Sequence, residues 1–139
     1  PNPASLTNAN FQTAVDLWCS DKAAAFSTYG HIKDWNVSGV TNMSFAFADK
    51  TTFNENITGW DVSNVTNMSY MFYDSSFSQD IGNWDVSNVT TMSYMFYDSG
   101  FSEYIDLSGW CVTNITTEPY RFRNDYDIPN ADPVWGTCP

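Results

Sequence analysis

Between residues 77 and 96 the apolar positions fall at Phe77, Ile81, Trp84, Val86, Val89, Met92, Met95 and Phe96. The alternation Trp84-Asp85-Val86 predicts a short strand with two side chains inward and Asp85 outward. Val89, Met92, Met95 and Phe96 then share one face of a short helical segment. "YDSG" closes the unit with turn chemistry. The same wording stands one unit earlier. "GWDVSNVTNMSYMFYD" (residues 59–74) and "NWDVSNVTTMSYMFYD" (residues 83–98) differ at two of sixteen positions. Aligned on tryptophan, the units start at Trp35, Trp60, Trp84 and Trp110, with spacings of 25, 24 and 26 residues.

A period of that length predicts a solenoid, in which each unit buries its apolar face against its neighbours. From Ile81 the apolar steps of three, two, three and three follow the leucine-rich-repeat pattern, apart from one longer interval after the strand. The expected fold is therefore an α/β solenoid: a leucine-rich-repeat-like array of about four 24–26-residue repeats, each a short strand plus a short helical segment. Residues 4–30 predict an N-terminal helical cap. Phe11, Ala14, Val15 and Trp18 form an apolar stripe behind a Thr7 or Asn8 cap, and a second start at Ser20 or Asp21 runs to Gly30. Repeats are expected over 31–118 and an irregular C-terminal cap over 119–139, where Pro119, Pro129 and Pro133 interrupt the pattern. One domain over 1–139 is implied.

Composition narrows the function classes. Sixteen acids against five Lys or Arg give a net charge of -11, which argues against nucleic acid or an anionic membrane bound through a basic patch. No run of eighteen apolar residues occurs, so membrane insertion is not expected. The opening "PNPASLTN" reads as a linker or processed end, and the chain as a monomer or part of a longer one. Cys19, Cys111 and Cys138 have no C-x-x-C spacing, which argues against zinc. Cys111 replaces an outward aspartate, so a Cys111–Cys138 disulfide would tie the tail to the body, with Cys19 a free buried thiol.

The segment "FNENITGWDVSNVTNMSYMFYDSSFSQDIGNWDVSNVTTMSYMF", and "WDVSNVTNMSYMF" above all, resembles the 26-residue bacterial surface protein repeat, domain of unknown function 285. The resemblance covers about residues 31–118, and "AVDLWCSDKAAAFSTYGHIKDW" resembles the leader that opens such repeats. It implies a leucine-rich-repeat-like solenoid at the cell surface, an adhesive or interaction role, and no catalytic residues to transfer. The pattern is broken where Asn36 and Cys111 replace aspartate, and where "EPYRF" replaces "MSYMF".

Several columns of equivalent residues are candidate sites. Asn36, Asp61 and Asp85, with Ser38, Ser63 and Ser87 beside them, would line the strand face and accept from a glycan or protein ligand. The competing reading is that each Asp or Asn caps its own bend. Asp49, Asp74 and Asp98 offer oxygens for calcium, but no calcium-loop spacing is present, and turn formation suits them better. Thr41, Thr66, Thr90 and Thr116 form a hydroxyl column of the kind ice-binding solenoids use, with end-capping the simpler explanation. Tyr70, Tyr94, Tyr73 and Tyr97 predict either exposed platforms or aromatic packing between units. Seven N-x-Ser/Thr sequons begin at Asn36, Asn42, Asn56, Asn64, Asn67, Asn88 and Asn114, as the repeat wording itself dictates. His31 is the one histidine and no nucleophile motif occurs, so no catalytic residues and no cofactor are expected. The expected function is a non-enzymatic extracellular binding or adhesion module for a glycan or surface protein. A structural spacer, a polysaccharide-targeting accessory domain and an ice-binding module are the alternatives.

Overall fold

The computed structural model describes residues 5–99, 105–124 and 131–139. Residues 1–4 of the expected N-terminal region, Gly100 of the "YDSG" turn and Pro129 of the expected C-terminal cap lie outside the described residues. Strand β1 (Ser5–Thr7) pairs in parallel with β2 (Asn36–Gly39), in register Ser5 to Asn36 and Thr7 to Gly39. Between them run helix α1 (Phe11–Ser20), helix α2 (Lys22–Tyr29) and a 3-10 turn at Ile32–Asp34.

Each helix forms for local reasons. In α1, Phe11, Ala14, Val15 and Trp18 recur on one face and are buried. Asn10, rather than Thr7 or Asn8, precedes the helix, and its side chain accepts from the Thr7 N–H at 2.8 Å. Asn8 is used elsewhere: its Oδ1 accepts from the N–H groups of Thr41 and Asn42 at 3.0 and 3.3 Å. Asp21 caps α2 by accepting from the Ala24 N–H, and Gly30 ends it at φ 79°, a left-handed position that suits glycine. Lys22–Glu55 at 2.7 Å and Lys50–Asp16 at 3.1 Å tie the helices to the first copies of the repeat.

The α/β solenoid of strand-plus-helix repeats, and with it the leucine-rich-repeat likeness, is not what the chain forms. Among the described residues there are two helices, one 3-10 turn and one open two-stranded parallel sheet; the remainder is turns, bends and irregular chain, with isolated parallel bridges joining Asn42 to Asn67 and Asn67 to Thr91. The physical reason lies in the backbone of each copy. Ala46, Ala48 and Lys50 donate to the carbonyls of Met43, Phe45 and Phe47, closing tight three-residue turns. Phe45, Asp49, Tyr70, Asp74, Tyr94 and Asp98 then take positive φ between 49° and 62°, so no four-residue helical ladder can propagate. The intervening N–H groups point to the next copy instead. Those of Met43, Phe45, Phe47 and Asp49 donate to the carbonyls of Asn67, Ser69, Met71 and Tyr73.

The core is built from equivalent residues of consecutive copies. Trp35, Trp60, Trp84 and Trp110 are all buried. Each indole N–H donates to a carbonyl, those of Gly30, Ile32, Ile57 and Ile81 respectively, at 2.8–3.3 Å. That satisfies the one polar atom such a large buried ring carries. Phe47, Phe72 and Phe96 are stacked beside them with ring centroids 5.5 Å apart.

Candidate functional site

The aspartate and serine columns are engaged within the chain. Oδ1 of Asp61 accepts from the N–H and hydroxyl of Ser63 at 3.0 and 2.6 Å, and Asp85 does the same with Ser87. Asn36 holds Ser38 with the same geometry. The six residues are thus brought together as three pairs, each fixing its own bend. These hydrogen bonds, the side-chain bond first, hold the Asp61 and Asp85 carboxyls below the usual carboxylate range.

The sequons follow the same logic. Asn36, Asn42, Asn56 and Asn67 each accept from the residue two places on. Asn64, Asn88 and Asn114 donate their amide N–H to the Ser38, Ser63 and Ser87 carbonyls of the preceding copy at 2.7–2.8 Å. In the threonine column, the hydroxyls of Thr66 and Thr90 donate to the Thr41 and Thr66 carbonyls. Asp49, Asp74 and Asp98 are exposed and occupy left-handed turn positions. Among the described residues no group of three His, Cys, Asp or Glu side chains could hold a metal ion.

Cys111 and Cys138 are bridged. Such a bridge suits an oxidising, extracellular type of environment, and among the described residues no helix is long and apolar enough to cross a membrane. Cys19 is free, but it is exposed rather than buried, because it falls outside the apolar face of α1. Partial desolvation raises its thiol pKa.

The tyrosines make the most distinctive surface. Phe45, Tyr70 and Tyr94 stand in equivalent positions, their rings stacked at 4.5 and 4.6 Å and within 8° of parallel. Phe45 is 56% exposed, and Tyr70 and Tyr94 are half-buried. All three sit at φ near 60°, a conformation that bulky side chains rarely adopt. This backbone turns each ring out of the core and onto its neighbour. Tyr73 and Tyr97 run alongside at 6.3 Å. The Tyr73 phenol is pushed above its ordinary range, chiefly by desolvation and next by Asp98, Asp49 and Asp74.

The last copy is displaced by one residue. Tryptophan alignment pairs Tyr94 with Tyr120, yet the left-handed position of the last copy is held by Arg121, at φ 49°. The hydrogen bonds agree: the Phe72 N–H donates to Met95 O, whereas the Phe96 N–H donates to Phe122 O. Phe122 therefore takes the place of Met95, and Arg123 that of Phe96. Pro119 stands where Met43 and Met68 donate an N–H to the next copy. Proline has no N–H to donate, so that onward link is not made at this turn, although Leu107 and Val112 of the same copy donate to the carbonyls of Ala131 and Thr137. Sequence reading missed this slip because the tryptophan spacing does not report it; the proline is the signal that was available.

Arg121 consequently ends the aromatic ladder with a cation. Its guanidinium lies 5.3 Å from the ring centroids of both Tyr97 and Tyr120, and it donates to their hydroxyls at 2.8 and 3.0 Å. The hydrogen bond from Arg121, and then its charge, lower the Tyr120 pKa. A hollow of about 400 Å³ lies beside it, lined by residues including Glu118, Tyr120 and Arg123.

No curated protein and no solved structure matches the chain. A family model described as "Mycoplasma protein of unknown function, DUF285" matches residues 8–133. With 126 of its 139 residues inside that match, the chain belongs to the DUF285 family.

Proposed function

We propose that the chain is a non-enzymatic extracellular binding module, and that it engages a glycan or surface protein along the Phe45–Tyr70–Tyr94 ladder. The observation that carries this reading is three consecutive aromatic rings held at the surface by left-handed backbone. Stacking of one ring on the next helps to hold consecutive copies together, and the outward placement of the same rings leaves aromatic surface for a ligand. Exposed tyrosines combine a large apolar area with a polar tip at low entropic cost, which suits recognition. The Asp61 and Asp85 columns suit it less, because one oxygen of each carboxylate is already engaged with Ser63 or Ser87.

Printed glycan and extracellular-protein microarrays test this, with the parent beside a Phe45→Asn/Tyr70→Asn/Tyr94→Asn variant. Asparagine tolerates the left-handed backbone, so this variant removes the rings without new strain. A ligand bound by the parent and lost by the variant supports the proposal. No ligand at all, or one that ignores the rings, refutes it and leaves a structural connecting segment.

A further inference from the structure

Resting on that reading, we infer that the partner presented to the ladder is a basic, arginine-bearing protein segment. The chain carries its own example of the contact. Arg121 stands in the ladder position itself, with its guanidinium over Tyr97 and Tyr120 and its N–H groups on both hydroxyls. The rings of Phe45, Tyr70 and Tyr94 cover one another's faces, so an arriving cation meets the phenol oxygens of the two tyrosines at their outer ends, to which the planar guanidinium directs donors in a fork that an ammonium lacks.

Charge complementarity points the same way. Asp49, Asp74 and Asp98 recur once per copy, exposed, and close enough to Tyr73 to act on its ionisation. Along the ladder each copy therefore offers a ring and one carboxylate, and the copies of Tyr70 and Tyr94 add phenol hydroxyls. The whole chain has a net charge of -11, which would draw a basic segment in and repel an acidic one. Arg121 sits at the far end of this strip and closes it against a further cation. In an extended segment alternate side chains share a face at intervals of about 6.7 Å, so arginines on alternate residues would lie along the strip without a one-to-one match to rings that recur every 4.5–4.6 Å.

Titration of the intact protein with a fluorescent dodecapeptide of alternating arginine and serine tests the inference. Comparators are the same peptide with citrulline, a neutral isostere, or with lysine in place of arginine. The arginine peptide is expected to bind at least about tenfold more tightly than the citrulline peptide, about 1.4 kcal/mol at 25 °C. It is also expected to bind more tightly than the lysine peptide and to weaken in salt. Phe45→Asn/Tyr70→Asn/Tyr94→Asn should lower its affinity at least about tenfold. Asp49→Asn/Asp74→Asn/Asp98→Asn should do the same, and asparagine keeps those left-handed turns foldable.

Equal binding of arginine and lysine peptides, or full retention by the ring variant, would overturn the inference by reducing the contact to bulk charge. Absence of peptide binding would also overturn it. If the microarrays then show a glycan that depends on the rings, the binding-module reading stands and only the arginine partner falls.

Discussion

The side chain of Arg123 meets Asp132 at 2.7 Å in the position where the preceding copies stack a phenylalanine. Its guanidinium lies 5.8 Å from the Phe96 ring centroid, so a planar cation ends the Phe47–Phe72–Phe96 column. Arg123 is 8% exposed. Asp132→Ala takes one ion-pair partner from a buried guanidinium and should cost at most about 3 kcal/mol, because the Asp132 side chain is itself 34% exposed. Replacing both partners, as Arg123→Leu/Asp132→Ala, should recover most of that loss. Chemical denaturation of the three proteins checks this; a double variant as unstable as the single would show that the pair does more than balance charge.

Trp84 is 4% exposed and its indole donates to Ile57 in the preceding copy. Trp84→Ala should destabilise the chain by roughly 3–5 kcal/mol, the usual range for a large core aromatic. A melting temperature within a few degrees of the parent would contradict that burial.

Asp61 and Asp85 have carboxyl pKa values lowered by Ser63 and Ser87. A depressed folded-state value means that the stabilisation is present above the unfolded value, about 3.9, and is lost as pH falls through the folded one. Stability of the parent should therefore drop on acidification below about pH 4. Asp61→Asn/Asp85→Asn should flatten that drop, because Asn36 shows an amide oxygen holding the same bend. Asp61→Ala/Asp85→Ala should instead lose about 1 kcal/mol per site at neutral pH. Urea midpoints across pH distinguish the two variants.

Reduction of the Cys111–Cys138 bridge, which spans 27 residues, should lower stability by about 3–4 kcal/mol on the chain-entropy model. Cys19 should label without denaturation because it is exposed, and more slowly at neutral pH than an unperturbed thiol because its pKa is raised. Two additional thiols in the native, unreduced protein would contradict the pairing.

Much of the core was readable from period alone. Ile81, Trp84, Val86, Val89, Met92 and Met95 are all buried, as the apolar spacing implies. What the spacing misses is backbone conformation. The face shared by Val89, Met92, Met95 and Phe96 reads as helical, yet φ of 59° at Tyr94 turns it into a chain of tight turns. Nothing in the residue type announces this, because tyrosine is among the last residues expected there. The disulfide was legible because Cys111 interrupts an outward column. The internal use of Asp61 by Ser63 was legible only as one of two readings.

Attachment of the ring variant (Phe45→Asn/Tyr70→Asn/Tyr94→Asn) and the bend variant (Asp61→Asn/Asp85→Asn) should be measured side by side on a ligand identified by the microarrays. Biolayer interferometry gives the affinities and thermal melts of the same samples give the folding control. The ring variant should lose at least about tenfold in affinity, while the bend variant stays within about twofold of the parent and both remain folded. Undiminished attachment by the ring variant, or loss confined to the bend variant, would contradict the placement of the binding face on Phe45, Tyr70 and Tyr94.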